Sequence, residues 1–113
     1  MSTFEIIINK MIKETCISKD KAIEFYELFL NSYSKAVMAI ELTLSNEDYL
    51  LKLFHKLKGS AFNLRLDDLG KMISAMEQRV KEGNFKKCYE IIEASLDIIN
   101  EFEIGLNEYK GLI

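Results

Sequence analysis

Residues 50–64 read LLKLFHKLKGSAFNL, and their apolar side chains recur at the spacing of an amphipathic helix. At about 100° per residue, six of them fall within about 60° of one line: Leu50, Leu53, Phe54, Leu57, Ala61 and Leu64. His55, the only histidine, lies about 140° from Leu50, Gly59 about 180° and Lys58 about 80°. The stripe is therefore predicted to be buried, and His55 to lie on the outward side of the helix.

The composition of the whole chain predicts an all-α protein. Its 113 residues include no proline and 5 glycines, and 49% are hydrophobic while 29% are charged. Because proline and glycine are the strongest breakers of regular structure, their scarcity favours long helices. The length fits a single domain over residues 1–113. No run of about 18 apolar residues exists, so we expect no membrane-spanning helix. The two scattered cysteines and the lack of a signal-peptide pattern lead us to expect a cytoplasmic protein.

Capping signals divide the chain into five predicted helices. Their ranges are about 3–15, 18–42, 46–64, from 66 or 67 to about 82, and 85–109. The starts depend on Ser2, Ser18, Ser45 and Asn84 as N-caps, and Gly83 is the natural stop of the fourth helix. The turns are short, so successive long helices should be antiparallel neighbours. The predicted architecture is an antiparallel up-down four-helix bundle with an additional N-terminal helix.

Two further patterns bear on packing and on metal binding. The second helix carries an apolar series at helical spacing, composed of Phe25, Leu28, Phe29, Tyr33, Ala36, Val37 and Ile40. Cys16 and Cys88 lie far apart without a CxxC spacing, and one histidine cannot complete an obvious zinc site with them. We expect both thiols to be buried or half-buried, and we predict no metal and no cofactor on this chain.

The residues around His55 exclude several kinds of reaction and favour one. The sequence shows no partner for serine or cysteine hydrolysis and no glycine-rich phosphate loop. A net charge of −3 does not favour nucleic acid as a partner. Basic residues nevertheless cluster near the histidine: Lys52, Lys56, Lys58, Arg65 and Lys71. A neutral imidazole is itself a nucleophile and suits accepting a phosphoryl group that another protein brings.

Three features of the outward face support this interpretation, and each has a plainer alternative. Gly59 costs about 1 kcal/mol in a helix relative to alanine and leaves the ring uncovered, although it could instead allow close helix packing. Lys58 could neutralise an anion on the ring, or be a solvated charge. Leu51 and Phe62 give the outward face apolar character, as on a docking surface. Phe62 could instead pack on the N-terminal helix.

The sequence HKLKGSAFNL followed by LGKMISAMEQ resembles the histidine phosphotransfer (HPt) domain of phosphorelays. The motif matches at His55, Leu57, Lys58, Gly59, Ser60, Ala61, Asn63 and Leu64. The resemblance covers about residues 20–105. It departs from the family pattern at Arg65, where glycine is usual, at Phe62, where a small residue is usual, and at Phe54, where alanine is frequent.

The resemblance implies a role for each site residue. His55 would be the phosphoacceptor, Lys58 would help to neutralise the phosphoryl group, and Glu77 would accept a hydrogen bond from the ring, with Gln78 as the neighbouring candidate. Glu77 could instead be a solvated charge beside the apolar stripe of its helix. The partner-binding surface would comprise Leu51, Lys52, Lys56, Gly59, Phe62 and Asn63. The partners would be receiver domains of response regulators, which would carry Mg²⁺, and a hybrid sensor histidine kinase is a further candidate. We expect a monomer that has no nucleotide site of its own and does not phosphorylate itself.

Two other functions stay open at this point. The chain could be the phosphotransfer domain of a chemotaxis-type kinase, which a separate ATP-binding domain phosphorylates. It could also be a helical interaction module in which His55 is not phosphorylated.

Overall fold

A computed structural model of the chain describes residues 2–43 and 46–111, and the regular structure in these ranges is entirely helical. The helices are α1 (Thr3–Thr15), α2 (Lys19–Thr43), α3 (Glu47–Asn63), α4 (Asp67–Lys81) and α5 (Phe85–Gly111). The all-α prediction is confirmed, and the predicted bounds agree within two residues at each end. No helix in the described ranges is long and apolar enough to cross a lipid bilayer.

The observed N-caps explain why the helix starts could be predicted. Ser2, Ser18 and Asn84 each accept a hydrogen bond from the backbone amide three residues later, which satisfies a donor that the first helical turn leaves free. The predicted cap Ser45 lies outside the described residues. The side-chain oxygen of Asn46 accepts such a bond, at 3.1 Å, and caps α3.

Two of the helices end in Schellman motifs, in which a residue with positive φ turns the chain away. At the end of α4 this residue is Gly83, with φ 75°. At the end of α3 it is Arg65, with φ 63°, where the HPt pattern usually has glycine. The amide of Leu66 donates to the carbonyl of Ala61 at 2.9 Å and completes the second motif. The turn between α3 and α4 therefore keeps the geometry that glycine favours, although the residue is an arginine.

The side chain of Arg65 holds this turn in place. Its Nε donates to Oε1 of Glu14, in the last turn of α1, at 2.8 Å. Its Nη1 donates to the carbonyl of Asn63. A left-handed conformation costs a residue other than glycine about 1–2 kcal/mol. The two interactions of the guanidinium offset part of that cost.

The helices pack around one hydrophobic core. Contacts join α2 to α3, α3 to α4, α4 to α5 and α5 back to α2, so these four helices form a closed ring, and α1 packs against α5 and α2. The core receives Ile8, Tyr26, Phe54, Ile73 and Ile92 from the five helices in turn. The ring agrees with a four-helix bundle plus an N-terminal helix, while the up-down direction of the helices stays a prediction.

The α3 stripe is buried as predicted, apart from the half-buried Leu53. The α2 series is only partly buried: Phe25 is 39% and Leu28 is 56% exposed. Both line a groove that lies between α2 and α3 and that the other helices leave open. The expectation for the cysteines is right for Cys88, which is buried, and wrong for Cys16, which is exposed at the end of α1.

Candidate functional site

His55 lies on the outward side of α3, with 78% of its side chain exposed. The buried stripe of the helix fixes this direction, because it turns the opposite side of α3 toward solvent. The Nδ1 atom of His55 lies 3.9 Å from Oε2 of Glu77 on α4. The ring is thus open to a macromolecular partner on one side and faces a carboxylate on the other.

The carboxylate of Glu77 connects His55 to Lys58. Its Oε1 accepts a hydrogen bond of 2.9 Å from Nζ of Lys58, while Oε2 is the oxygen near His55. Glu77 is only 8% exposed, so it is a buried, paired group rather than a solvated charge. Lys58 is likewise paired, which rules out the alternative that it is a free surface cation. Packing of α3 on α4 brings the three side chains together.

Gln78, the second predicted acceptor on α4, is exposed. No hydrogen bond links it to His55 in the part of the chain that the structure describes, whereas Glu77 faces the ring. The geometry therefore favours Glu77 over Gln78 as the group that orients the histidine.

Gly59 leaves open space one turn above His55. A methyl group at this position would meet no atom within 4 Å apart from the local backbone of the helix. The alternative that Gly59 allows close packing between helices is therefore wrong. The missing side chain instead clears the surface next to the ring.

The remaining predicted partner-binding residues differ in how they are placed. Lys52, Lys56 and Asn63 are exposed on α3, and Leu51 is half-buried against the core. Phe62 is 39% exposed and packs on α4: a methyl group at Gly70 would lie 2.7 Å from its ring. Phe62 thus covers a glycine of α4, and it does not need the N-terminal helix as its packing partner.

The basic cluster near His55 offers less unpaired positive charge than its five residues suggest. Lys58 is paired with Glu77, and Arg65 is paired with Glu14. Lys52, Lys56 and Lys71 are exposed. Positive charge available to an approaching partner thus comes mainly from these three lysines, and Lys52 and Lys56 are on the same helix as His55.

Sequence reasoning did not predict that two residues of the α2 series stay exposed. Phe25 and Leu28 on α2 line the groove whose other wall includes Lys56, the residue after His55. Their spacing shows that they share a face of α2, but spacing does not show whether another helix covers that face. In the described ranges, no group of three or more metal-ligating side chains is placed to hold an ion.

The comparisons with known proteins identify the family. The sequence matches the Hpt domain over residues 24–108, which includes α3, α4 and almost all of α5. No curated protein and no solved structure matches the chain. The match covers most of the chain and contains His55, Lys58, Gly59 and Glu77. The protein therefore belongs to the Hpt domain family, which implies a role in histidine phosphotransfer within two-component phosphorelays.

Proposed function

We propose that His55 accepts a phosphoryl group from the aspartyl phosphate of a receiver domain and passes it to the aspartate of another receiver. In the first step the Nε2 lone pair attacks phosphorus, a P–N bond forms and the P–O bond to the aspartate breaks. The aspartate leaves as a carboxylate. The second step reverses these bond changes on the next receiver. Mg²⁺ would be held by the receivers.

The observation that carries this proposal is the exposed ring of His55 facing the buried carboxylate of Glu77. A carboxylate near Nδ1 favours the tautomer with the proton on Nδ1, which leaves the Nε2 lone pair free for attack. The distance of 3.9 Å is longer than a hydrogen bond. Such contacts often tighten only when the reacting partner is bound, and the exposed ring has room to turn toward Glu77.

Lys58 is positioned to share its charge between two anions. It is bound to Oε1 of Glu77 before transfer, at 2.9 Å, and so lies beside the histidine. A phosphoryl group on Nε2 would add negative charge close to this ammonium. Lys58 would then stabilise the phosphorylated state, while Glu77 keeps the lysine in place.

The surface around the ring suits a receiver domain. The clear space above Gly59 lets a partner approach the ring, and the exposed Lys52 and Lys56 offer positive charge to an acidic phosphorylation site. Charge of opposite sign accelerates encounter between proteins. Short turns of three residues between α3 and α4 and between α4 and α5 favour the antiparallel up-down order that we also propose. The monomeric state stays a prediction.

The test is transfer of label from phosphorylated receiver domains. The chain is incubated with a panel of receivers phosphorylated by acetyl phosphate and Mg²⁺, and label is followed onto it. We expect label that is stable in alkali and lost in acid, as for a phosphoramidate. The His55→Gln variant should keep its helix content and melting temperature and lose all label.

Label that survives in His55→Gln would contradict the assignment of the phosphoacceptor. A parent protein that no receiver labels, but that an ATP-binding kinase domain labels at His55, would instead indicate the chemotaxis-type function. Failure of receivers, kinase domains and phosphoramidate alike would indicate an interaction module without phosphotransfer.

A further inference from the structure

A recess between α2 and α3, which we call the α2–α3 groove, has a volume of about 470 Å³. Phe25 and Leu28 of α2 line it and are 39% and 56% exposed. The lining also includes buried apolar residues of α1, α2 and α3: Met11, Phe29, Leu57 and Leu64. The groove therefore has an apolar floor and is open to solvent along α2.

The size of the groove suits a small molecule. Ligand pockets in proteins typically measure about 300–1,000 Å³ and are lined mostly by apolar side chains with a few polar groups. One turn of α-helix, with a rise of about 5.4 Å and a diameter of about 10–12 Å, fills about 500 Å³. The groove thus holds no more than about one turn of a peptide helix, whereas a small molecule fits within it entirely.

The charges along the groove favour an anion. The chain carries 18 acidic residues, yet none of the described residues that line the groove is acidic. Lys56 lines it, is exposed, and forms no ion pair with any residue in the ranges 2–43 and 46–111. The recess beside α1 and α5 differs, because acidic residues line it: Asp67, Asp68, Glu101 and Glu108. An unpaired ammonium group next to apolar surface selects a ligand that combines a negative group with an apolar body.

Polar side chains of α3 continue the edge of the groove beyond Lys56. Ser60 and Asn63 follow Lys56 by four and seven residues, so the three side chains lie along one side of the helix. Neither the hydroxyl of Ser60 nor the side-chain amide of Asn63 makes a hydrogen bond within the part of the chain that the structure describes. Both groups are donors. A carboxylate between Lys56 and Ser60 would therefore meet an ammonium and a hydroxyl, while its apolar chain would lie over the buried floor.

We infer that the α2–α3 groove binds a small amphipathic carboxylate, a free fatty acid of medium chain length, with the carboxylate at Lys56 and the chain on the apolar floor. Around α3, His55 lies about 100° from Lys56 and about 140° from Ser60. The bound carboxylate therefore leaves the imidazole uncovered. The site is separate from the proposed phosphotransfer and does not depend on it.

The first test titrates the protein with decanoate below the concentration at which it forms micelles. Backbone amide shifts in NMR spectra report both the place of binding and the affinity. We expect one saturable site with the largest shifts at Leu28, Lys56 and Ser60. Octanoate should bind about fivefold more weakly, because complete burial of two methylene groups would give about 15-fold and the groove is open on one side. Shifts that do not saturate, or that centre on His55 or on the recess beside α1 and α5, would overturn the inference.

The second test addresses the charge of the ligand. Octanol has the same chain length as octanoate but no charge, and we expect it to bind about fivefold more weakly, as for one partly exposed ion pair. Lys56→Gln should weaken octanoate to the affinity of octanol. Lys71→Gln, which changes an exposed lysine of α4 outside the groove, is the matched control and should bind octanoate like the parent. Equal affinities of the parent and of Lys56→Gln for octanoate would overturn the carboxylate site.

The third test addresses the apolar wall. Leu28→Gln changes the groove, and Leu96→Gln changes an exposed leucine of α5 that does not line it. We expect Leu28→Gln to weaken decanoate about fivefold and Leu96→Gln to leave its affinity unchanged. An affinity that stays the same in Leu28→Gln would contradict seating of the chain in the groove.

Vesicles of phosphatidylglycerol distinguish a free carboxylate from the anionic surface of a membrane. We expect the protein to stay in solution when such vesicles are sedimented, and decanoate to bind it in their absence. Sedimentation of the parent with the vesicles, abolished in Lys56→Gln, would assign the lysine to a lipid surface and overturn the inference.

Discussion

Replacing Gly59 separates the stability of the bundle from access to His55. A methyl group at this position meets no atom within 4 Å apart from the local backbone of the helix, so no steric cost opposes alanine. Glycine in a helix interior is about 0.8–1.0 kcal/mol less favourable than alanine. Gly59→Ala should therefore stabilise the protein by about 1 kcal/mol and raise its melting temperature by about 4 °C. Gly59→Gln should melt no lower than the parent, because glutamine is also a better helix former.

Transfer should respond in the opposite direction. A glutamine at position 59 projects from the outward face one turn above His55, where a receiver would approach in the proposed transfer. Misplacement of reacting groups by about 1 Å can cost about 100-fold in rate. We expect Gly59→Gln to slow transfer from a receiver by about 100-fold, while labelling by the small donor phosphoramidate stays equal to that of the parent.

The assay is a pair of measurements, thermal melting and the initial rate of transfer, with Gly105→Ala as the control. A methyl group at Gly105 would lie 2.7 Å from Cβ of Phe4, so this variant should lose about 1–3 kcal/mol through overpacking between α1 and α5. A Gly59→Gln protein that transfers at the parent rate would refute clearance as the role of the glycine. A Gly59→Gln protein that unfolds would contradict the conclusion that position 59 faces open space.

Three further variants test single contacts of the site and of its support. Lys58→Ala should shorten the lifetime of phosphohistidine. It should also lower the free energy of unfolding by about 1–3 kcal/mol, because the buried Glu77 loses its 2.9 Å partner. A lifetime equal to that of the parent would contradict a role of Lys58 in the mechanism. Tyr26→Phe removes the buried hydroxyl that donates to the carbonyl of Leu64 at 2.6 Å. Chemical denaturation should show that the free energy of unfolding falls by about 1–3 kcal/mol. An unchanged free energy would mean that the carbonyl finds another donor. The hydrogen bond from Arg65 lowers the pKa of Glu14, so the pair stabilises the fold above the pKa of the unfolded carboxyl and ceases to do so as pH falls through the lowered value. The difference in unfolding free energy between the parent and Glu14→Gln should accordingly be constant near neutral pH and shrink in acid, and a difference independent of pH would contradict the ion pair.

Local signals in the sequence were sufficient to predict the helices and the outward direction of His55. A side-chain cap such as Ser2 or Asn84 acts on amides of its own helix, and Gly83 ends α4 through bonds within six residues. The apolar stripe of α3 likewise places His55 outward without knowledge of the other helices. These features depend on neighbours along the chain, which the sequence displays directly.

Local patterns could not predict which side chains of the site contact each other, because these side chains lie on different helices. The sequence left Lys58 and Glu77 as charges that solvent could equally surround, and only the packing of α3 on α4 makes them a buried pair beside His55. In the same way, Phe62 proved to cover Gly70 of α4. Motif resemblance suggested Glu77, but not that Lys58 would be its partner.

What the sequence by itself determined is therefore the set of helices, the buried face of α3 and a single exposed histidine in an HPt motif. Tertiary structure decided which faces of those helices stay uncovered. Helical spacing places Phe25 and Leu28 on the apolar side of α2, yet their exposure depends on whether another helix packs against them. It also decided that Arg65, in a position suited to glycine, reaches Glu14 of α1. Both outcomes depend on distances between segments remote in sequence, which no local pattern encodes.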